Sequence, residues 1–277
     1  MTLEQAISVL EKAGIESARF EAQLLLGLAA AVSRAQIIAQ TYPPLTPEQT
    51  HRFIQLVLER RNRVPLAYLR GTQEFYGLTF AVGEEVLIPR PETELLVDFA
   101  REKLNAHKTP PLLADVGTGS GCIVISVLKH LPTATAVATD ISANALTLAR
   151  RNAQANEVAH RIDWVRTNLL EGITSKFDAI LSNPPYISTQ EVATLQPEVK
   201  DNEPLLALDG GEDGLAVVRP LIESAFHALK RGGYFAMEGA KEQAPDIIRL
   251  FKQAGFQEVG TKNDLAGIER VIFGRKP

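Results

Sequence analysis

Apolar positions recur every three or four residues through the first 70 residues of the chain. Leu3, Ala6, Ile7 and Leu10 form one stripe, Phe20, Leu24, Leu25 and Leu28 a second, and Phe53, Leu56 and Val57, continued by Arg60, a third. That spacing places each set on one face of a helix. Ser17 and Thr46 suit helix N-caps, and Pro47 follows Thr46 at the first helical position, where a missing N–H costs nothing. Tyr42-Pro43-Pro44-Leu45 interrupts the pattern as a break between helices. Residues 1–71 therefore read as a small α-helical bundle without a chemical constellation of its own.

The period then changes. Glu74 to Val82 alternates around Gly77, which predicts a short β-hairpin within a linker spanning residues 72–89. Ile88-Pro89-Arg90-Pro91-Glu92-Thr93-Glu94 leads into a helix carrying Leu95, Leu96, Phe99 and Leu104. Pro91, Glu92 and Glu94 suit its N-terminus. From residue 111 strands and helices alternate. Strands are predicted at Leu112–Val116, Ala134–Thr139, Ile162–Arg166, Phe177–Ser182, Gly233–Met237, Phe256–Lys262 and Ile268–Gly274. Helices are predicted at Ile123–His130, Ala143–Asn156, Leu215–Leu229 and Pro245–Gln253. Such alternation implies an α/β domain, residues 90–277, with a mainly parallel, doubly wound sheet. The last two strands lack room for a crossover helix and should form an antiparallel hairpin. No internal repeat or low-complexity segment interrupts the chain.

Composition narrows the class. A length of 277 residues suits one domain plus a smaller one, and 45% hydrophobic with 22% charged residues is ordinary for a soluble globular protein. No apolar run approaches the ~20 residues that span a bilayer, and the N-terminus lacks the features of a signal peptide, so no membrane association is expected. The single cysteine, Cys122, excludes an intramolecular disulfide framework, and a reducing cytoplasm is expected. The net charge of −4 argues against a protein devoted to gripping duplex phosphate, although a local basic patch would survive that average. Five scattered histidines and one cysteine show no zinc-like spacing, so no metal is expected. A monomer is expected.

Chemistry concentrates where strands end. Asp115-Val116-Gly117-Thr118-Gly119-Ser120-Gly121 joins a strand to a helix, and its glycines would let the backbone approach a ligand closely. No Gly-Lys-Ser/Thr follows, so it is not a phosphate-binding P-loop. The next strand ends at Asp140, which can accept both hydroxyls of a ribose or, in competition with Ser142, cap the following helix. These two features do not separate a nicotinamide cofactor from S-adenosylmethionine. Cys122 reads as a small apolar residue rather than a nucleophile, with no base near it in sequence.

Ser182-Asn183-Pro184-Pro185-Tyr186 follows the fourth strand and so falls on the same sheet edge as the glycine loop. A dehydrogenase has no use for it there. An amide or aromatic amine shares its lone pair with a π system and is a poor nucleophile. The Asn183 side-chain oxygen can accept one N–H and the Pro184 carbonyl the other, which orients the nitrogen and favours the charge developing on it. The two prolines remove donors and stiffen the turn, and Tyr186 offers a flat face for stacking. As a bare tetrapeptide the segment is also an ordinary turn. Placed beside a glycine loop, it points to methylation of a planar amino or amide nitrogen with S-adenosylmethionine.

Together these segments resemble the protein-(glutamine-N5) methyltransferases of peptide chain release factors, the PrmC/HemK family. The resemblance covers nearly the whole chain. Asn183-Pro-Pro-Tyr is shared with adenine-N6 methyltransferases of nucleic acids. Ile88–Glu94, Glu203-Pro204-Leu205-Leu206-Ala207-Leu208 and Gly210-Gly211-Glu212-Asp213-Gly214-Leu215 are much more specific. The resemblance implies a Rossmann-like class I methyltransferase domain with a seven-stranded sheet. It also implies methylation of the glutamine in the Gly-Gly-Gln loop of class I release factors, in support of translation termination, with residues 1–71 docking the substrate. By the family's pattern Gly117, Thr118, Gly119, Ser120 and Gly121 hold the methionine part of the cofactor, Asp140 the ribose, and Asn168 faces adenine, where many relatives have Asp. Asn183 borders the cofactor. Asn183, Pro184 and Tyr186 serve catalysis, and Pro185 joins them in holding substrate. Glu238 follows the fifth strand, Gly239 lies one residue early against the usual spacing, and Gln243 fits. Arg90, Glu92 and Thr93 keep two readings, a segment closing over the site or a structural linker capping the next helix. Glu198 and Asp201 read as solvated charges. The alternative, an adenine-N6 DNA or RNA methyltransferase, calls for a basic groove and room for a flipped base. A third reading, a docking module that binds cofactor without turnover, is opposed by the intact motif.

Overall fold

The structure is a computed structural model and describes residues 1–105 and 109–277. The chain divides into two compact units, Met1–Thr72 with Gln196–Asn202, and Gln73–Leu195 with Glu203–Pro277.

The first unit contains α1 (Leu3–Lys12), α2 (Ala18–Ala30), α3 (Arg34–Ile38), α4 (Pro47–Arg61) and α5 (Leu66–Arg70). Its core uses the anticipated stripes of α1 and α4, with Ala6, Ile7, Leu10, Phe53, Leu56 and Val57 buried together. The stripe expected in α2 is corrected: Phe20 is exposed, and α2 buries Ala18, Ala22, Leu25, Leu26 and Ala29 instead, a neighbouring face built largely of alanines. Thr46 caps α4 through the Gln49 N–H, with Pro47 in the first turn. Ser17 does not cap α2. Its hydroxyl donates instead to the Glu21 carboxylate at 2.8 Å, a charged acceptor one turn ahead. The segment Gln196–Asn202 carries a further short helix, and there the expectation for Glu198 fails. Glu198 is no solvated charge. Arg60 Nη1 reaches its Oε1 at 2.9 Å and Arg63 Nη2 its Oε2 at 2.8 Å, while Arg60 Nε also binds Glu21. Asp201 is exposed, as expected.

The chain enters the second unit through β1 (Thr72–Phe75) and β2 (Leu78–Ala81), a two-stranded sheet turned at Tyr76-Gly77, where both residues have positive φ. Ala81 exchanges hydrogen bonds in both directions with the buried Asn152 amide, which fixes β2 on α8 (Ala143–Ala155). A 3-10 turn, Pro91–Thr93, precedes α6 (Glu94–Leu104). The main sheet comprises β3 (Leu112–Val116), β4 (Thr135–Asp140), β5 (Ile162–Arg166), β6 (Phe177–Ser182), β7 (Leu229–Glu238), β8 (Gln257–Asn263) and β9 (Glu269–Arg275). Its order is β5-β4-β3-β6-β7-β9-β8. The first five are parallel and β9 runs antiparallel to β7 and β8, as the pattern predicts.

Alternation along the strands sends neighbours to opposite faces. Leu113, Ala136, Leu181, Ala236 and Val271 pack with α6 and α7 (Cys122–His130). Ala114, Val137, Ile180, Phe235 and Ile272 pack with α11 (Val218–Ala228) and α12 (Ala244–Ala254), counting the short helices Thr189–Val192 and Pro197–Lys200 as α9 and α10. Most boundaries shift by a residue or so. The largest departure is between α11 and β7. Leu229 already pairs with Phe177, the register then slips before Ala179 meets Tyr234, and Gly232 at φ +81° absorbs the slip. The expected helix therefore ends one residue early and the strand begins four residues early.

Candidate active site

The strand order reverses between β3 and β6, so their carboxyl ends flank the crevice where an open α/β sheet binds ligands. Ser182 Oγ donates to the Val116 carbonyl at 2.7 Å and ties these two ends together. A cavity of about 260 Å³ opens there. Of the residues singled out in the sequence, Gly117, Thr118, Gly119, Ser120, Asp140, Asn168, Asn183 and Pro185 line it, as do Arg90, Thr93, Cys122 and Ser142. Gly121, Pro184 and Tyr186 are not among its walls.

The glycine loop is held by β4. Gly117 and Thr118 N–H both reach the Thr139 carbonyl at 2.9 Å, and Gly119 N–H reaches Asp140 Oδ2 at 2.9 Å. Gly117 and Gly119 have φ of +71° and +54°, and a Cβ at either would meet no atom within 4 Å. Backbone conformation, not space, requires glycine at both. Gly121 differs. A Cβ there would lie 2.9 Å from Ile125 Cδ1 and 3.2 Å from Ala149 Cβ, so this glycine lets α7 and α8 approach.

Asp140 uses Oδ2 on Gly119 and Oδ1 on the Ser142 N–H at 2.9 Å, while Ser142 Oγ takes the Ala145 N–H as cap of α8. The helix-cap reading of Asp140 thus falls to Ser142. A carboxylate held by two backbone donors keeps lone pairs for a vicinal diol. Asn168 donates from Nδ2 to Glu171 Oε1 at 2.9 Å, which leaves its oxygen as the acceptor. Ile141, 48% exposed, adds an apolar surface to the same cavity. A fixed carboxylate, an amide acceptor and an apolar plate together fit a nucleoside.

Beneath the loop, Asp115 is fully buried. Its Oδ2 accepts Thr118 Oγ1 at 2.7 Å and the Val124 N–H at 3.3 Å, and Oδ1 has no partner among the described residues. Burial pushes its pKa up to about 7. Burial likewise pushes the Cys122 thiol up to about 12, which keeps it protonated and apolar in behaviour.

The Asn183 loop is organised by residues that the sequence left without a role. Asn183 Nδ2 donates to Thr93 Oγ1 at 3.2 Å, Thr93 Oγ1 donates to Glu238 Oε2 at 2.6 Å, and the Tyr186 hydroxyl donates to Glu238 Oε1 at 3.0 Å. Pro184 is buried. Burial raises the pKa of Glu238, against the two hydroxyls that stabilise its charge, and burial also raises that of Tyr186. The available signal for Glu238 is an acid closing the apolar strand Tyr234-Phe235-Ala236-Met237 at the ligand edge. Arg90 also lines the cavity, where it pairs with the Glu203 carboxylate, which accepts the Ile88 N–H at 3.2 Å. The Ile88–Glu94 segment thus borders the site at both Arg90 and Thr93, and at Arg90 it is also tied to Glu203. Glu92 is partly exposed.

Among the described residues, no group of three or more His, Cys, Asp or Glu could hold a metal, and no helix is long and apolar enough to cross a membrane. A family model described as the methyltransferase small domain matches residues 92–210, and one described as the PrmC N-terminal domain matches residues 2–71. The release factor glutamine methyltransferase of Geobacter sulfurreducens is 40% identical over 267 residues, covering 96% of this chain and 92% of that protein. The one from Caulobacter vibrioides is 39% identical over 268 residues, with coverage of 96% and 92%. The solved catalytic domain of hMettl16, in complex with the MAT2A 3′UTR hairpin 6, aligns with a TM-score of 0.59 at 17% identity, covering 82% of this chain and 81% of that one, a likeness of fold alone. Similar along nearly its whole length to such relatives, the chain belongs to the release factor glutamine methyltransferase family.

Proposed function

We propose that the protein transfers a methyl group from S-adenosylmethionine to the side-chain nitrogen of the glutamine in the Gly-Gly-Gln loop of peptide chain release factors, acting as a monomer in the cytoplasm. The observation that carries this reading is the Asn183 amide at the cofactor-sized cavity. Its nitrogen is committed to Thr93, which leaves Oδ1 as the acceptor for an incoming NH2 group. The activity of the relatives supports glutamine over adenine as the owner of that group.

When bound, S-adenosylmethionine supplies an electrophilic methyl group on a sulfonium, which carries its own leaving-group driving force. Asp140 would hold the ribose hydroxyls, Asn168 Oδ1 and Ile141 the adenine, and the Gly117–Gly121 loop the methionine part. Asn183 Oδ1 accepts one hydrogen of the substrate amide and the Pro184 carbonyl the other. Two fixed acceptors set the plane of the NH2 group and favour positive charge on nitrogen. Glu238 has a hydroxyl on each oxygen and holds those hydroxyls rather than taking the amide proton. Pro185 braces the turn, and Tyr186, anchored through its hydroxyl, offers its ring to the planar group. Residues 1–71 dock the release factor.

The test uses labelled S-adenosylmethionine with three acceptors: a release factor, the same factor with the Gly-Gly-Gln glutamine changed to alanine, and duplex DNA. Label on the unaltered factor alone is expected. Label on DNA, or equal label on both factors, refutes the reading.

A further inference from the structure

We infer that Thr93 and Glu238 are positioning residues that fix which way round the Asn183 amide is presented to the substrate. The inference rests on the proposed methyl transfer to an NH2 group and adds the device that gives Asn183 its polarity.

The three residues come from distant parts of the sequence and meet in a dry place. Thr93 and Glu238 are each 2% exposed. A threonine hydroxyl has one hydrogen and two lone pairs, and Glu238 is the acceptor of both hydroxyls that reach it. The Thr93 hydrogen is given to Glu238 Oε2 at 2.6 Å, so Thr93 offers only lone pairs to its other neighbour. That neighbour is Asn183 Nδ2, at 3.2 Å. The amide must therefore turn its NH2 to Thr93 and its oxygen away. A flipped amide would set oxygen against the Thr93 lone pairs and NH2 against the NH2 of the substrate, a mismatch on both sides. The Tyr186 hydroxyl occupies Glu238 Oε1 at 3.0 Å, so both carboxylate oxygens are engaged, and the same residue ties the far end of the motif to the relay. The charges of Glu92 and Arg270 also act on Glu238, with opposite signs. A buried carboxylate is costly unless hydrogen-bonded. Here it commits the hydroxyl that orients Asn183.

Thr93→Val keeps the shape and removes the hydroxyl, Thr93→Ser restores it, and Glu238→Gln replaces the acceptor of both hydroxyls by a group that can also donate. Each variant is compared with the wild-type enzyme in kcat and KM for release factor, in affinity for S-adenosylmethionine alone by calorimetry, and in Tm. We expect Thr93→Val and Glu238→Gln to lower kcat about 30-fold or more, and Thr93→Ser to stay within about threefold of wild type, with cofactor affinity and KM little changed. Retention of kcat by Thr93→Val, or equal loss in Thr93→Ser, overturns the relay, as does a parallel loss of cofactor affinity. A second readout needs no substrate and separates this inference from the choice of acceptor. In 15N NMR the Asn183 side-chain NH2, assigned through Asn183→Ala, should be protected from hydrogen exchange in wild type and in Thr93→Ser, and unprotected in Thr93→Val. Equal exchange in all three contradicts the inference whatever the enzyme methylates.

Discussion

Gln243 donates from Nε2 to the main-chain carbonyl of Tyr186 at 2.8 Å, and Gly214 sits against both atoms. This clamp ties the end of the Asn-Pro-Pro-Tyr turn to the segment Gly210–Gly214, which also exchanges backbone hydrogen bonds with Ile187 and Thr189. A Cβ on Gly214 would lie 2.3 Å from each of the two clamped atoms, at a φ of +71°. Gly214→Ala must therefore displace the motif backbone. Misplacing reacting groups by about 1 Å costs on the order of 100-fold in rate, and kcat should fall by that amount while the circular dichroism spectrum is retained. Near-wild-type kcat would show that the clamp does not position the motif.

Arg90 and Ile88 together hold Glu203, whose side chain is 1% exposed. Taking away one partner of a buried ion pair leaves an uncompensated charge. Arg90 is itself a third exposed, so water would reach part of the vacated space and the loss is discounted. Arg90→Ala is expected to cost about 2 kcal/mol in urea denaturation, and the double variant Arg90→Ala with Glu203→Gln to recover more than half of it. An unchanged denaturation midpoint for Arg90→Ala would remove the structural role given to this pair.

Asp115 links stability to pH. Its pKa rises on folding from 3.8 to about 7, because burial disfavours the charge. The folded state thus binds the proton more tightly than the unfolded state. The stability this group contributes is fully present below about pH 4 and is lost as pH rises through about 7. Asp115→Asn keeps an acceptor for Thr118 and Val124 and does not titrate. Its Tm relative to wild type should climb between pH 4 and pH 7 and level off above. Parallel Tm curves would mean that Asp115 is not charged at a cost in the folded protein.

Asn183→Ala removes the acceptor Oδ1 and leaves Asp140 and the glycine loop untouched. Turnover should fall roughly 100- to 1,000-fold, the usual loss for one preorganised polar contact to the reacting group, with only a modest loss of cofactor affinity. Turnover within a few-fold of wild type would exclude the acceptor role.

Much of the fold is legible because β3, β4 and β6 are short apolar runs buried on both faces and bounded by turn residues, and because helix periodicity survives in α8 and α12, where one face is buried. The start of β7 is less legible, since pairing of Leu229 with Phe177 and the slip at Gly232 are decided by the neighbouring strand. Short elements such as α3 and α5 carry too few turns to show a period. In the site, residues that follow strand ends are visible in sequence, and Gly117, Gly119, Asp140, Asn168 and Asn183 reach one cavity. Thr93 and Glu238 are not visible as partners, because 145 residues separate them and no spacing rule connects them. Glu198 misleads for the same reason: in the sequence it is a charge in a loop, and the arginines that bury it precede it by more than 130 residues.

The central claim is the identity of the methylated atom. Mass-spectrometric fragmentation of a release factor after reaction with the enzyme and S-adenosylmethionine locates it directly. The account predicts one added methyl group, on the side chain of the glutamine in the Gly-Gly-Gln peptide. A methyl group on any other residue, or an unmodified peptide from a reaction in which labelled methyl has gone to nucleic acid, would contradict it.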